Sequence, residues 1–161
     1  MFRSVALPPG VPGRLYLHSM PGRYEPLQAT VDAARMRGIT QVVCLTSLDE
    51  IEGKAPDYAR AVQRNNLPWQ QVVYPIVDFG VPSDRASFLA LVNGIAADLR
   101  GGVNILLHCA AGIGRTGTVA SSVLVALGLS PDEAARSVEA AGSYAERPEQ
   151  VELIEWVSRE T

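Results

Sequence analysis

A single lysine, Lys54, two cysteines and two histidines are all that 161 residues hold of those types. Each scarcity removes a class of function. With one lysine and a formal net charge of −3, the chain has no basic field for nucleic acid and no polybasic patch for an acidic membrane surface. Two cysteines, Cys44 and Cys109, cannot form a disulfide scaffold, and a chain that is 47% apolar does not need one. The expected compartment is therefore reducing, and a cytoplasmic location follows. No apolar run is long enough to span a membrane. The first residues, "MFRSVALPPGVPG", carry one arginine but break into Pro and Gly before any apolar stretch, which argues against a signal peptide. Repeats and low-complexity segments are absent. Length and even composition predict one domain over 1–161, expected as a monomer.

What is present is an alternation of short apolar runs and helical patterns. Residues 1–13 read as extended. Strands are predicted at 14–19, 41–46, 70–76 and 103–108. Helices are predicted at 26–38, closed by Gly38, within 56–65, and through Phe88, Val92, Ile95 and Leu99 up to Gly101-Gly102. Three more follow at 115–127, 131–141 and 148–158. Ser130, Pro131 and Glu133 supply an N-cap, a first-turn proline and a capping box for the second of these. The strand at 103–108 is apolar almost throughout, as a central strand buried on both faces would be. The fold class is α/β: a central, mostly parallel sheet flanked by helices, with a phosphate-binding type of loop at the carboxyl end of a central strand.

That loop is "HCAAGIGRTG", residues 108–117. Gly112 and Gly114 let the backbone curl so that successive N–H groups of Ala110, Ala111, Gly112, Ile113 and Gly114 point inward, a nest for an anion. The helix starting near Arg115 adds the positive end of its dipole, and the guanidinium can grip two oxygens of a phosphate. Such surroundings favour a thiolate over a thiol, so Cys109 reads as a nucleophile facing a bound phosphoryl group. Thr116 would donate to that sulfur and ease its departure. Expelling an alcohol or phenol further requires a general acid on a loop able to close. Asp78 in "DFGVP" follows a strand and precedes a helix on the same rim, whereas Asp84 and Asp98 read as first-turn and surface charges.

These residues resemble the cysteine-based protein tyrosine phosphatase superfamily, whose signature is His-Cys, five residues, then Arg and Ser/Thr. "DFGVP" is similar to the family's mobile acid loop. The resemblance implies Cys109 as nucleophile, Arg115 as phosphate clamp, Thr116 as leaving-group hydroxyl, Asp78 as acid and then base, and His108 as support for the cysteine loop. It also implies that Gln150, with Glu146 as a second candidate, sits where the attacking water is positioned. No metal or cofactor is implied, and the partner is a phosphorylated protein or peptide.

The departures are specific. Ile76-Val77 stand before Asp78 where phosphotyrosine-specific members carry Trp-Pro, and the chain lacks the long N-terminal segment that deepens their pocket. It resembles the compact, dual-specificity-like branch. Ala110, Ala111 and Ile113 occupy loop positions where members acting on highly charged headgroups carry lysines, so a single phosphate on a phenol is expected, with an inositol phosphate or other small molecule as the alternative. A kinase reading of "DFG" fails for want of a glycine-rich loop and a His-Arg-Asp loop. A sulfur transferase or arsenate reductase reading leaves Asp78 unexplained, and a binding module without turnover leaves the intact Cys109, Arg115 and Asp78 unexplained. Cys44 is expected to pack, the other possibility being a disulfide with oxidised Cys109. His18 is expected to be structural, and Arg23 and Tyr24 either touch substrate or are solvated.

Overall fold

The structure is a computed structural model describing residues 2–161. Among these residues the sheet has five strands in the order β1-β2-β5-β3-β4, numbered along the chain: β1 Arg3–Ser4, β2 Arg14–His18, β3 Ile39–Cys44, β4 Gln70–Val73 and β5 Asn104–His108. The apolar strand β5 lies in the middle, parallel to β2 on one side and β3 on the other, and β4 extends the parallel set. The short β1 was not expected within the extended 1–13 segment; it pairs antiparallel with β2, Arg3 opposite Leu17. β4 ends three residues before its predicted limit. Pro75 has no N–H to continue the ladder, although Tyr74 N and Ile76 N still donate to the carbonyls of Cys44 and Leu45 at 2.9 and 3.0 Å.

Helices cover both faces. On one lie α1 Leu27–Met36, α2 Leu48–Lys54 and α3 Pro56–Gln63; on the other lie α4 Arg85–Arg100, α5 Gly114–Ala126, α6 Pro131–Ala140 and α7 Pro148–Glu160. The predicted face of α4, Phe88, Val92, Ile95 and Leu99, is buried as expected, and Asp84 caps that helix by accepting from Ser87 N at 3.2 Å. Asp98 is half-buried on the same helix. The capping box of α6 forms, with Ser130 Oγ accepting from Glu133 N. Helix α2 is an addition. It is short and buries only Ile51, but Ser47 caps it by accepting from Glu50 N at 3.3 Å.

The two-residue period of β5 decides which face each side chain joins. Ile105 and Leu107 enter the core under α4, α5, α6 and α7, while Leu106 packs with Tyr16, Val42 and Cys44 under α1, α2 and α3. His108 continues on the face of Leu106, beside Tyr58, and Cys109 then returns to the opposite core. Cys44 and Cys109 are thus both free thiols, buried in apolar clusters on opposite faces of the sheet. This burial predicts that Leu107→Ala, at a position with no exposure, lowers unfolding stability by roughly 2–5 kcal/mol in urea titration, whereas Ser130→Ala lowers it by about 1 kcal/mol. Equal losses from the two would contradict the packing described.

Candidate functional site

Cys109 directly follows the central strand, and residues 110–113 curl into the first turn of α5. The curl is imposed locally. Gly112 has φ +79°, and a Cβ there would stand 2.5 Å from the carbonyl oxygen of His18, so both the backbone sign and the space demand glycine. The Ala110 carbonyl accepts from Met20 N at 3.1 Å, and the Ile113 carbonyl accepts from Gly117 N at 2.7 Å and Tyr144 N at 3.2 Å. In a trans peptide the carbonyl and the following N–H point opposite ways. Tying those two oxygens to the surrounding chain leaves the N–H groups of Ala111 and Gly114 facing the inside of the curl. Cys109 Sγ lies in this concavity, 2% exposed, accepting from Gly112 N at 3.2 Å and Thr116 Oγ1 at 3.1 Å.

Arg115 brings the adjoining cation. Its Nη1 and Nη2 each donate at 2.9 Å to one carboxylate oxygen of Glu50, and Nη1 also donates to the Ile76 carbonyl at 3.0 Å. Nη2 lies 3.4 Å from Asp78 Oδ1. The side chain is 2% exposed, yet its Nε has no partner. A buried charged donor left unpaired is costly, and the cost disappears when an anion accepts from it. Burial disfavours the charged guanidinium, but Glu50 and the neighbouring charges of Cys109 and Asp78 outweigh it and raise the guanidinium above its ordinary value.

Glu50 was not among the residues expected here. Its signal was the pattern Ser47-Leu48-Asp49-Glu50, an N-cap with an acid three positions on. The carboxylate turns away from the cap to take Arg115 and, at 2.9 Å, Lys54 Nζ. Hydrogen bonds from Arg115 are the main reason its carboxyl is held at about 2, with burial opposing and Lys54 assisting.

His108 sits behind the loop with no exposure. Nδ1 lies 2.9 Å from the Cys109 carbonyl, which can only accept, so Nδ1 carries the proton. Nε2 meets Tyr58 Oη at 2.8 Å, and that hydroxyl accepts from Gln71 Nε2 at 2.7 Å. The ring is thereby fixed at both nitrogens. It holds the backbone of Cys109 in place and faces away from the sulfur. For Cys44, burial pushes the thiol up, but His108 and Thr46 pull it the other way, down to about 7.

Asp78 lies on the exposed 77–83 segment, its carboxylate 53% exposed and directed at Arg115. Phe79 beside it has φ +61° and its ring lies under the Arg147 guanidinium at 4.8 Å. Gln150 is fully buried. Its Oε1 accepts from Glu146 N at 2.7 Å and Arg147 N at 3.1 Å, while Nε2 donates to the Gly80 carbonyl at 3.3 Å. Glu146 extends over the loop itself; a Cβ on Gly114 would collide with its carboxylate. The segment 18–26 flanks the loop from the other side. His18 pairs with Glu25 at 2.5 Å, and Arg23 stacks at 4.7 Å on Tyr24, which is 68% exposed. The structure thus gathers Cys109, Arg115, Thr116, Asp78 and Glu146 around one concavity, with His108 and Gln150 as buried supports.

Residues 10–153 match the family model described as Swiss Army Knife protein, DSP-PTPase phosphatase domain. The chain belongs to this family. It is a cysteine-based phosphatase of the dual-specificity-like branch. Comparison with curated proteins finds no match. Among solved structures it is similar to kinase associated phosphatase (KAP) carrying serine for its catalytic-site cysteine, with TM-score 0.83 and 20% identity over 99% of this chain and 94% of that one. Tk-PTP in the active form gives TM-score 0.68 and 25% identity over 99% and 98%. PTPMT1 in complex with PI(5)P gives 0.73 and 21% over 91% and 90%. Among the described residues no helix is long and apolar enough to cross a membrane.

The Glu50–Arg115 contact sets an acid-stability prediction for this phosphatase. A carboxyl held at about 2 when folded, against about 4.3 when unfolded, contributes stability that is complete above the unfolded value and lost as pH falls toward the folded one. Between about pH 4.5 and 2, wild type is expected to lose more unfolding stability than Glu50→Gln in urea titrations repeated at several pH values. Parallel pH profiles for the two would show that the contact contributes nothing in solution.

Proposed function

We propose that this phosphatase hydrolyses phosphate monoesters of phenols, foremost phosphotyrosine in proteins, with residues 1–161 working as one catalytic domain. The observation that carries the reading is the unpartnered Arg115 Nε beside the inward N–H groups and the Cys109 sulfur, a set of donors converging where a nucleophile waits. In the first step the Cys109 thiolate attacks phosphorus, the bond from phosphorus to the phenolic oxygen breaks, and Asp78 gives its proton to that oxygen. Arg115 Nε and the loop N–H groups take the non-bridging oxygens, whose charge redistributes in the transition state. In the second step Asp78 removes a proton from water, the water oxygen bonds to phosphorus, and the phosphorus–sulfur bond breaks. Thr116 steadies the departing thiolate through the hydrogen bond it already makes.

The substrate class is supported by what surrounds the concavity. Loop positions Ala110, Ala111 and Ile113 carry no cation, and Val77, Phe79 and Tyr24 are exposed on the two flanking segments. Arg23 and Arg147 are each already stacked on an aromatic ring. An aromatic ester with one phosphate suits such a rim better than a headgroup with several. Gln150 reaches an attacking water only by releasing Gly80, Glu146 or Arg147, so in this reading it secures the acid loop, and Glu146, whose carboxylate lies against Gly114, is the candidate for positioning that water.

The test is a panel of phosphotyrosyl peptide, phosphoseryl peptide, inositol polyphosphate and a phosphatidylinositol monophosphate, all with chelator present. Phosphotyrosyl peptide is expected to give the highest kcat/KM, with turnover abolished in Cys109→Ser. Preference for the inositol compounds, or an active serine variant, would overturn the reading. Asp78→Asn is expected to lower kcat on the phosphotyrosyl peptide about 100-fold, and less on p-nitrophenyl phosphate, whose leaving group departs without a proton. Equal losses on both substrates would remove Asp78 from the acid role.

A further inference from the structure

The carbonyl of Gly112 is held differently from its neighbours in the loop. It accepts from Arg3 Nη2 at 2.7 Å and from Ser143 Oγ at 2.6 Å. The other arm of the same guanidinium, Nη1, donates to Ser143 Oγ and to the Ala141 carbonyl, both at 2.9 Å. One half-buried side chain on the edge strand β1 thus joins the segment between α6 and α7 to the middle of the catalytic loop, 109 residues away in sequence. Ser143 is fully buried, and its hydroxyl is used in both directions, accepting from Arg3 while donating to Gly112.

The consequence lies in the peptide between Gly112 and Ile113. Its oxygen and its N–H point opposite ways, so two donors behind the loop that capture the oxygen also aim the Ile113 N–H into the concavity. Left untied, this peptide could rotate and present its oxygen to the anion instead. Glycine at 112, with its wide conformational range, makes such a rotation cheap. The guanidinium also brings a positive charge to the rear of the loop; burial lowers Arg3 from its ordinary value while the charge of Cys109 pulls it back up.

We propose that Arg3, acting through the Gly112 carbonyl and in partnership with Ser143, is a positioning residue that orients the Ile113 N–H toward the bound phosphate. This rests on the loop being the phosphate site. Arg3 touches no reacting atom. Its effect is on how tightly the site holds a tetrahedral oxyanion and on the transition state that resembles it.

The test compares wild type with Arg3→Met, Arg3→Lys, Ser143→Ala and the Arg3→Met/Ser143→Ala pair. The readouts are the inhibition constant of inorganic phosphate, the kcat and KM for p-nitrophenyl phosphate, and the melting temperature. Val5→Ala, a buried position just beyond β1 whose backbone N donates to the Leu15 carbonyl, controls for simple loss of stability. Arg3→Met is expected to weaken phosphate inhibition and lower kcat/KM, each about 10-fold. Arg3→Lys, which keeps a charged donor, recovers part of both. Ser143→Ala gives a smaller loss, and the double variant loses less than the product of the single losses because both donors act on one oxygen. Val5→Ala lowers the melting temperature without changing phosphate inhibition. Should Arg3→Met fail to fold, Arg3→Lys and Ser143→Ala still carry the test. Folded Arg3 or Ser143 variants with wild-type phosphate inhibition and kcat/KM overturn the proposal for Arg3 alone, as do losses that Val5→Ala reproduces. A wild-type protein that neither hydrolyses p-nitrophenyl phosphate nor binds phosphate overturns the phosphatase reading and this proposal together.

Discussion

Several peptide N–H groups can converge on one point only if the carbonyls of the same peptides are anchored elsewhere. Aligned dipoles repel, and a short loop left to itself would alternate their directions. Here the anchoring is external: Met20 holds Ala110, Gly117 and Tyr144 hold Ile113, and a cationic side chain with a hydroxyl holds Gly112. The rest of the architecture supplies those anchors. β2 leads into the segment containing Met20, α5 supplies Gly117, and the connection from α6 to α7 supplies Ser143 and Tyr144. The loop therefore depends on elements drawn from both ends of the chain, from Arg3 to the segment before α7.

The second constraint is electrostatic. A guanidinium almost without exposure needs compensation, and Glu50 provides it on one edge while leaving Nε free. A carboxylate beside an anion site looks unfavourable until the geometry is considered. It uses the two terminal nitrogens in a bidentate grip and fixes the plane of the fork. The unpaired Nε is then held with little conformational freedom to lose on binding an anion. Lys54 on the far side of Glu50 assists Arg115 in holding that carboxyl down.

The parts of this arrangement that sequence could reveal are those fixed by local geometry. Cys109, Gly112, Arg115 and Thr116 belong to one turn between a strand and a helix, so their spacing is a structural statement in itself. The central strand was readable from its near-continuous apolar run and the buried face of α4 from apolar periodicity. The remaining parts depend on partners distant in the chain. Glu50 meets Arg115 across 65 residues and Arg3 meets Gly112 across 109. Nothing about a lone arginine in a proline-rich opening marks it as an anchor. Helix α2 had a cap signal, but with a single buried residue it lacked the periodicity that makes a helix conspicuous. β1 was hidden for a related reason: two residues carry no alternation pattern, and its pairing exists only because β2 presents an open edge.

The same anchoring logic extends to the segment that carries Asp78. Residues 77–83 are mostly exposed, and Phe79 adopts a positive φ that a bulky residue rarely tolerates. Two contacts offset that strain, the stacking of Phe79 with Arg147 and the bond from Gln150 to the Gly80 carbonyl, and both come from the start of α7. Gln150 simultaneously satisfies the N–H groups of Glu146 and Arg147 that would otherwise be unpaired at that helix end. Withdrawal of Asp78 from Arg115 would leave the helix cap intact while breaking that ion pair, the hydrogen bond from Gln150 to the Gly80 carbonyl and one cation–π contact. None of these contacts includes the bonds that anchor the carbonyls of Ala110, Gly112 and Ile113.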